Sequence, residues 1–273
     1  INPLLIDLRG IKKEFAYRHI PECDIYLHSV YTLDFNEQKD IYPLSPAGDT
    51  HRTRAFLKIQ DGCESYCSYC IVPKSRGPIR SINPDRVISM LKSLAEKDYK
   101  EIVLTGIHLG KYGTDLNLSI DLMGLLEMID SAALPIRIRL SSIEPIEIQP
   151  DLIEFMATRE WLCPHFHIPL QSGDNRILRM MHRNYTAQEF RDLIFTIKGK
   201  IPLSAIGTDV MVGFPGEDDS AFNNTFNILK EMPISYIHVF PFSPRRGTLA
   251  FSLRNQVARD IIKKRVTILR ALG

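Results

Sequence analysis

The chain reads Arg54-Ala-Phe-Leu-Lys-Ile-Gln-Asp-Gly-Cys63-Glu-Ser-Tyr-Cys67-Ser-Tyr-Cys70 at the stretch that decides its fold. Residues 54–60 form a short apolar run typical of a β-strand, and turn residues follow it. Cys63, Cys67 and Cys70 then stand at C-x₃-C-x₂-C spacing on one predicted loop. Thiolates at these offsets can reach three corners of an iron–sulfur cubane, so the stretch predicts a [4Fe–4S] site.

Three cysteine ligands leave the fourth iron of such a cluster open. The amino and carboxylate groups of S-adenosylmethionine (SAM) can chelate an open iron, and an electron from the cluster then cleaves the sulfonium. The products are methionine and a 5′-deoxyadenosyl radical, which abstracts hydrogen from an unactivated C–H bond. Tyr69 lies just before the last cysteine, where its ring can stack on adenine or merely pack the loop.

Two other interpretations of the cysteines are a zinc site and a disulfide framework. Zinc needs a fourth ligand, for which Cys23 and His51 are candidates, and a second C-x₂-C knuckle is missing. Five cysteines are an odd number, and three of them fall within eight residues, which disfavours disulfides. A non-catalytic, zinc-stabilised RNA-binding module therefore stays as an alternative to an enzyme.

Apolar strands and amphipathic helices alternate after the first 50 residues. Strands are predicted at 54–60, 101–105, 136–140, 165–169, 205–212 and 236–240. Helices are predicted at 83–97, 120–129, 152–158, 175–181, 187–198, 221–231 and 256–272. This alternation indicates an α/β fold with a parallel sheet, and six units predict an incomplete parallel (β/α)₆ barrel.

The first 50 residues have a different character. They carry a net charge of −3, against +5 for the rest of the chain, and residues 24–32 are typical of a strand with its turn. Pro43, Pro46 and Gly48 indicate a loop or linker. We therefore expect a partial N-terminal α/β segment at residues 1–50 and a barrel domain at residues 51–273.

Sequence blocks along most of the chain carry a family resemblance. The blocks lie at 51–63, 71–77, 104–107, 139–145, 167–173, 181–186, 208–217 and 238–248. Together with the cysteine loop they resemble the radical SAM superfamily, and its methylthiotransferase branch in particular. The resemblance implies a barrel of radical SAM type that holds a [4Fe–4S] cluster through Cys63, Cys67 and Cys70.

Eight residues are candidates for contact with SAM, and for Thr105 and Gly106 the resemblance favours that role. The eight residues are Tyr69, Thr105, Gly106, Ser141, Glu144, Gln171, Arg183 and Asp209. Most follow a predicted strand, at the edge where ligand sites of parallel sheets form. Thr105 and Gly106 can meet the amino group of SAM, although a tight turn would need the glycine equally. Arg183 can pair with the SAM carboxylate or can be an ordinary helix-end arginine, while serine and glutamate at strand ends can also cap helices.

Asp209 lies inside an otherwise apolar strand, so its carboxylate must face a polar cavity or a partner. His165 and His167 are two residues apart on a strand and share one face. With Asp209 they could mark a metal-dependent hydrolase, but such histidines are more often satisfied lumen or core residues. Cys163 is expected to be a buried structural thiol.

The lead-in at 54–62 and the block at 238–245 look most like the MtaB-like subgroup of the branch. Its members add a methylthio group to threonylcarbamoyl-adenosine beside the anticodon of tRNA. Sister groups act on isopentenyl-adenosine in tRNA or on an aspartate of a ribosomal protein, and these substrates are the alternatives. The implied partners are a tRNA anticodon loop, where the base is exposed, and a reductant protein for the cluster.

The chain departs from the family pattern at both ends. The family's N-terminal domain carries three further cysteines for a second [4Fe–4S] cluster, whereas only Cys23 precedes Cys63 here. The family's C-terminal TRAM domain would begin near Gly273, and the chain opens on Ile1 rather than Met. We therefore expect a fragment that holds one cluster and cleaves SAM, with a second cluster only in the full-length enzyme.

The overall charge and hydropathy set the remaining expectations. A net charge of +2 does not suggest binding of nucleic acid by bulk electrostatics alone, and no leader or long apolar run is visible. We expect a cytoplasmic protein without membrane contact. Basic residues near strand ends that can hold RNA phosphates are Arg52, Arg54, Lys74, Arg76, Arg80, Arg245 and Arg246. The last helix is expected to be an amphipathic packing helix with a solvated basic face, formed by Arg259, Lys263, Lys264, Arg265 and Arg270.

Overall fold

The structure is a computed structural model that describes residues 11–14, 30–33 and 53–273. The chain divides into two units, Ile1–Asp40 and Ile41–Gly273. In the first unit, strand β1 (Ile11–Glu14) pairs antiparallel with strand β2 (Val30–Leu33). The predicted boundary near residue 50 lies outside the described residues, and so do Cys23, His51 and Arg52.

The second unit contains the six predicted strands in their predicted order and two further short strands. They are β3 (Arg54–Lys58), β4 (Gln60–Asp61), β5 (Arg80–Ser81), β6 (Glu101–Thr105), β7 (Arg137–Leu140), β8 (His165–His167), β9 (Ala205–Val212) and β10 (Tyr236–Pro241). Strands β3, β6 and β7 form one parallel sheet, and β8, β9 and β10 form another. Parallel single bridges, Ile138 to Leu162 and Ser142 to His167, continue the ladder from the first sheet to the second. The six-strand parallel arrangement confirms the predicted fold class.

The helices fill the crossovers between these strands. They are α1 (Val72–Arg76), α2 (Pro84–Glu96), α3 (Leu122–Ala132), α4 (Pro150–Thr158), α5 (Asn175–Met180), α6 (Ala187–Lys200), α7 (Asp219–Glu231) and α8 (Arg259–Arg270). Local signals set their starts: Asn83 accepts a hydrogen bond from the Asp85 amide at the start of α2, and Thr186 with Glu189 forms a capping box at α6. Short 3₁₀ turns stand at Leu109–Lys111, Pro145–Glu147 and Leu249–Ser252.

Side chains alternate between two faces along each strand. In β9, Ile206 and Val210 are fully buried and join the apolar core, which also includes Ile102 and Phe166. The opposite face of β9 carries Asp209, and this is the concave inner face of the barrel. None of the helices described in the structure has the length and apolar character needed to cross a bilayer.

Candidate functional site

Gly62 turns the chain out of β4 into the cysteine loop. Its φ is +77°, and a Cβ built on it would lie 1.8 Å from the carbonyl oxygen of Pro78. The next amide, that of Cys63, donates to the carbonyl of Gly77 at 3.2 Å. Glycine is therefore required here both by the left-handed backbone and by the close approach of a second chain segment.

The cysteine loop is tied down at its centre and leaves its thiols accessible. Ser68 donates from its amide to the carbonyl of Met181 at 3.1 Å and from its hydroxyl to the carbonyl of Met180 at 2.7 Å. Cys63, Cys67 and Cys70 are free and only half-buried. One anchored loop thus presents three thiols of the kind that binds soft metal ions.

Cys63 has an acid–base partner. Its sulfur lies 3.4 Å from Nδ1 of His108, whose Nε2 lies 2.7 Å from a carboxylate oxygen of Glu147. Burial alone would lower the pKa of His108, but its contacts with Cys63 and Glu147 outweigh burial and raise it to about 9. Burial would likewise raise the pKa of Cys63, but the hydrogen bonds from His108 and Ser65 lower it on balance. The geometry therefore favours a thiolate at Cys63.

Cys67 faces a buried guanidinium. Nη1 of Arg183 donates to the Cys67 sulfur at 3.3 Å, Nη2 pairs with Glu144, and Nε donates to the Tyr185 hydroxyl at 3.0 Å. The Arg183 side chain is only 5% exposed. Burial raises the pKa values of both Cys67 and Glu144, and the arginine opposes that rise. One guanidinium thus connects the cysteine loop with the loop after β7.

These groups border one cleft of about 260 Å³. Its lining includes Cys67, Glu144, Arg183, His108, Lys111 and Glu147. The first three were predicted site residues, and the structure brings them together. The other three were missed, although His108 follows the strand-end pair Thr105-Gly106 closely enough to have been noticed as a polar residue at the same edge.

Thr105 and Gly106 form a tight crossover beside Gln60. The carbonyl of Thr105 accepts from the Ile59 amide at 2.9 Å, and a Cβ on Gly106 would lie 2.7 Å from Oε1 of Gln60. That same oxygen accepts from the His108 amide at 2.8 Å. The turn therefore needs glycine for packing, and the predicted contact of these residues with SAM stays a prediction.

The remaining predicted residues make other contacts. Tyr69 packs edge-on against Phe214, with ring centroids 6.4 Å apart, which is a loop-packing role. Ser141 has a buried hydroxyl for which the described residues offer no hydrogen-bond partner. Gln171 adopts a φ of +61°, and its amide donates to the Asp209 carbonyl at 2.9 Å. The stacking of Tyr69 on adenine, like the SAM contacts of Ser141 and Gln171, stays a prediction.

Asp209 belongs to a cluster of histidines on the concave face. One of its oxygens lies 2.9 Å from Nε2 of His167 and 3.3 Å from Nδ1 of His238. The Tyr236 hydroxyl lies 3.2 Å from Nδ1 of His167 and 2.9 Å from Nε2 of His165. The predicted placement of Asp209 in a polar lumen agrees with these contacts.

Gly207 makes room for this cluster. A Cβ on Gly207 would lie 2.0 Å from the ring of Tyr236, which pairs with Gly207 across β9 and β10. The tyrosine ring therefore lies directly over the glycine and reaches the histidines beyond it.

Other sequence-based expectations have mixed outcomes. Cys163 is 1% exposed, as expected for a buried thiol, and its sulfur lies 3.6 Å from Glu101. The last helix packs on the core through Val266 and Leu269, as expected. Arg265 was wrongly expected on its solvated face: its side chain is 6% exposed and pairs with Glu217 at 2.6 Å and Asp219 at 2.7 Å. Arg265 is buried because its guanidinium pairs with the buried carboxylate of Glu217. The Lys74 ammonium donates to the carbonyl of Gly247 at 2.6 Å.

Comparison with protein families and curated proteins gives concordant matches. A family model described as the radical SAM superfamily matches residues 57–229. The threonylcarbamoyladenosine tRNA methylthiotransferase MtaB of Aquifex aeolicus (strain VF5) is 42% identical over 219 residues, which cover 80% of this chain and 53% of that protein. A tRNA-2-methylthio-N(6)-dimethylallyladenosine synthase of Pelotomaculum thermopropionicum is 39% identical over 216 residues, with 79% and 48% covered. This chain spans about half the length of the curated relatives it matches.

Solved structures share the fold at low sequence identity. The radical SAM methyltransferase TsrM from Kitasatospora setae, with cobalamin and a [4Fe–4S] cluster bound, matches with a TM-score of 0.60 at 15% identity, covering 72% of this chain and 38% of that chain. Coproporphyrinogen III oxidase (HemN) from Escherichia coli matches with a TM-score of 0.57 at 14% identity, covering 81% and 52%. At this low sequence identity, the two matches show that the barrel fold is shared.

Proposed function

Because this chain belongs to the radical SAM superfamily, we propose that residues 51–273 are the catalytic domain of a methylthiotransferase that acts on adenosine in tRNA. Residues 1–50 are then the remainder of an N-terminal methylthiotransferase domain with its linker. The observation that carries the proposal is the anchored loop with three free thiols beside a cleft. The activity itself belongs to a protein about twice this length.

The donor set fits a [4Fe–4S] cluster. Cys63, Cys67 and Cys70 are half-buried thiols of one loop, and at least one of them has its thiolate favoured by a neighbouring imidazole. The three would hold the cluster and leave one iron open. When bound, the cluster supplies the electron that cleaves SAM.

The cleft residues would bind SAM and keep its charges in place. Arg183 is buried and carries a fixed positive charge, which suits the carboxylate of the methionine portion. Glu144 offers an acceptor to an amino or hydroxyl group once Arg183 is shared between it and the ligand. Thr105, Gly106, Ser141 and Gln171 stand at the ends of successive strands, where SAM would complete its contacts.

Two kinds of evidence support threonylcarbamoyl-adenosine as the base. Relatives named for that substrate match at 38–44% identity, and those named for dimethylallyl-adenosine match at 33–39%. The blocks at 54–62 and 238–245 also have the MtaB-like form. A tRNA anticodon loop would be the partner, a reductant protein would supply electrons, and tRNA would place the enzyme in the cytoplasm. In the full-length enzyme, a second cluster would carry the sulfur to be transferred.

The first test is iron content and SAM cleavage. The chain is purified without oxygen, reconstituted with iron and sulfide, and incubated with SAM and dithionite. We expect about four irons per chain and formation of 5′-deoxyadenosine. Cys67→Ser should abolish both, whereas Cys163→Ser should change neither, because Cys163 is a free cysteine outside the loop.

Two other outcomes would contradict the expected value of about four irons per chain. One zinc per chain without SAM cleavage would establish the zinc-stabilised binding module instead. About eight irons would mean that further ligands complete a second cluster.

A second test identifies the substrate. The gene for the full-length protein is deleted in the source organism, and tRNA nucleosides are measured by mass spectrometry. Loss of methylthio-threonylcarbamoyl-adenosine supports the proposed substrate. Loss of methylthio-isopentenyl-adenosine would assign the enzyme to the sister group, and unchanged tRNA would point to the ribosomal protein.

A further inference from the structure

Three potential metal ligands of a different kind converge on the concave face, outside the cysteine loop. They are Nε2 of His167 on β8, one carboxylate oxygen of Asp209 on β9 and Nδ1 of His238 on β10. All three atoms lie within 4.8 Å of one another. The register places His238 directly opposite Asp209, so the strand ladder itself fixes two of the three positions.

The separations suit ligands of one ion. Donor atoms about 2.0–2.2 Å from a shared tetrahedral zinc lie about 3.4 Å from each other. The observed distances from Asp209 are 2.9 Å to His167 and 3.3 Å to His238. Two imidazoles with one carboxylate are a donor set found around zinc and other divalent transition-metal ions.

The buried oxygen of Asp209 is not satisfied by its neighbours. Both imidazole nitrogens are within reach, yet among the described residues this oxygen has no hydrogen-bond partner of acceptable geometry. A buried carboxylate oxygen without a partner is otherwise costly.

A second layer of contacts orients His167. Its Nδ1 lies 3.2 Å from the Tyr236 hydroxyl, which lies 2.9 Å from Nε2 of His165. If His167 donates to Tyr236 and Tyr236 donates to His165, the Nε2 lone pair of His167 is left free for a metal. Metal-bound histidines ordinarily have such a partner on their other nitrogen.

We propose that His167, Asp209 and His238 form a second metal site, which binds one divalent transition-metal ion of the zinc type. The His238 side chain is 54% exposed, so the ion keeps an open position toward the concave face. The site is separate from the proposed cluster and does not depend on the proposed function. It assigns Asp209 to a metal rather than to SAM.

The test uses the full chain with Cys63, Cys67 and Cys70 replaced by serine, so that the thiols of the loop cannot bind the added ion. Zinc binding is measured by calorimetry, and cobalt binding by its visible absorption. We expect one ion per chain, and we expect Asp209→Asn and His238→Gln each to weaken binding at least about 10-fold. Tyr236→Phe should weaken it less.

The matched control is His182→Asn, which removes a histidine outside the cluster. His182 has a φ of +59°, and asparagine tolerates that conformation. Zinc should also raise the melting temperature of the parent chain and of this control, but not that of the ligand variants.

Absence of zinc binding, or equal affinity in the parent, the ligand variants and the control, would overturn the inference. If Asp209→Asn does not fold, His238→Gln decides, because its position is more exposed. Iron loading of the chain with its cysteines intact is a separate measurement, so failure of the zinc site and failure of the proposed function can be told apart.

Discussion

The Arg183 side chain contacts three other residues of the cleft. Its guanidinium contacts the sulfur of Cys67, the carboxylate of Glu144 and the hydroxyl of Tyr185. Tyr185 in turn donates to the carbonyls of Pro169 and Leu170, at 2.9 and 3.0 Å. Because the Arg183 guanidinium is buried, its positive charge would be costly to leave unpaired. Its contacts therefore hold these residues of the cleft in place.

Arg183→Ala should destabilise the cluster-free chain by about 3 kcal/mol, because it leaves Glu144 buried without a counter-charge. The control is Lys200→Ala, which removes an exposed partner of Glu154 at 3.0 Å and should cost less than about 1 kcal/mol. Urea unfolding measures both. Equal losses in the two variants would show that the cleft charge has no special role.

Gly62→Ala should lower stability by more than about 1 kcal/mol and reduce the iron that the loop retains, because a Cβ collides with the Pro78 carbonyl. Gly199→Ala is the matched control. Gly199 lies in α6 with no atom within 4 Å of its Cβ position, so alanine should stabilise by about 0.5–1 kcal/mol. Unchanged iron loading in Gly62→Ala would contradict the need for glycine at the loop entrance.

Single residues differ in how far the sequence predicts them. The spacing of Cys63, Cys67 and Cys70 is local and marks the loop without any knowledge of the fold. The partnership of Cys63 with His108 joins residues 45 positions apart, and that of Cys67 with Arg183 joins residues 116 apart. Such pairs form only where the barrel brings distant strand ends together. The spacing of residues along the sequence does not show which strand ends these are.

At the scale of elements, Glu101 connects three strands. It sits at the start of β6, receives two hydrogen bonds from Arg139 of β7 at 2.8 and 3.1 Å, and pairs with Arg54 of β3 at 2.7 Å. The hydrogen bonds from Arg139 lower the pKa of Glu101 below its ordinary value of 4.5, against the opposing effect of burial.

The charged form of Glu101 therefore stabilises the fold. Because the folded-state pKa is lowered, this contribution is fully present above the unfolded value of 4.5 and is lost as the pH falls through the folded value. Glu101→Gln should destabilise the chain at about pH 7 and have a much smaller effect at about pH 3. Urea unfolding at both values checks this, with the exposed Glu154→Gln as control. If Glu101→Gln lowered the free energy of unfolding equally at both pH values, the shape of the Glu101 side chain, and not its charge, would connect the strands.

The elements that the sequence predicts well are those with local signals. Asn83-Pro84 starts α2 within a residue of expectation, and β6 and β9 have the predicted limits. Helix α1 and the short ladder of β4 with β5 were missed. They are five and two residues long, and the ladder exists because distant segments meet beside Gly62, not because of any periodic pattern.

At the scale of the molecule, the barrel is incomplete, with β3 and β10 as its outer strands. Both edge strands expose an aromatic side chain, Phe56 at 49% and Phe240 at 49%. Within the described residues, neither edge strand has a further parallel neighbour.

Within the part of the chain that the structure describes, the cleft, the cysteine loop and the histidine cluster are built from residues 53–273. A chain that starts at residue 51 should therefore fold and load the same iron as the 273-residue chain. Anaerobic reconstitution and iron analysis of both chains test the predicted boundary. Loss of iron in the shorter chain would show that the first 50 residues contribute to the site.

The contact between Gly207 and Tyr236 has a consequence for evolution. A side chain at position 207 would occupy the space of the tyrosine ring, since a Cβ there lies 2.0 Å from it. The two positions cannot drift independently. In descendants of this chain, a residue larger than glycine at position 207 should arise only after Tyr236 has been replaced by a residue without an aromatic ring. The order of the two substitutions should therefore be the same in every lineage that carries both.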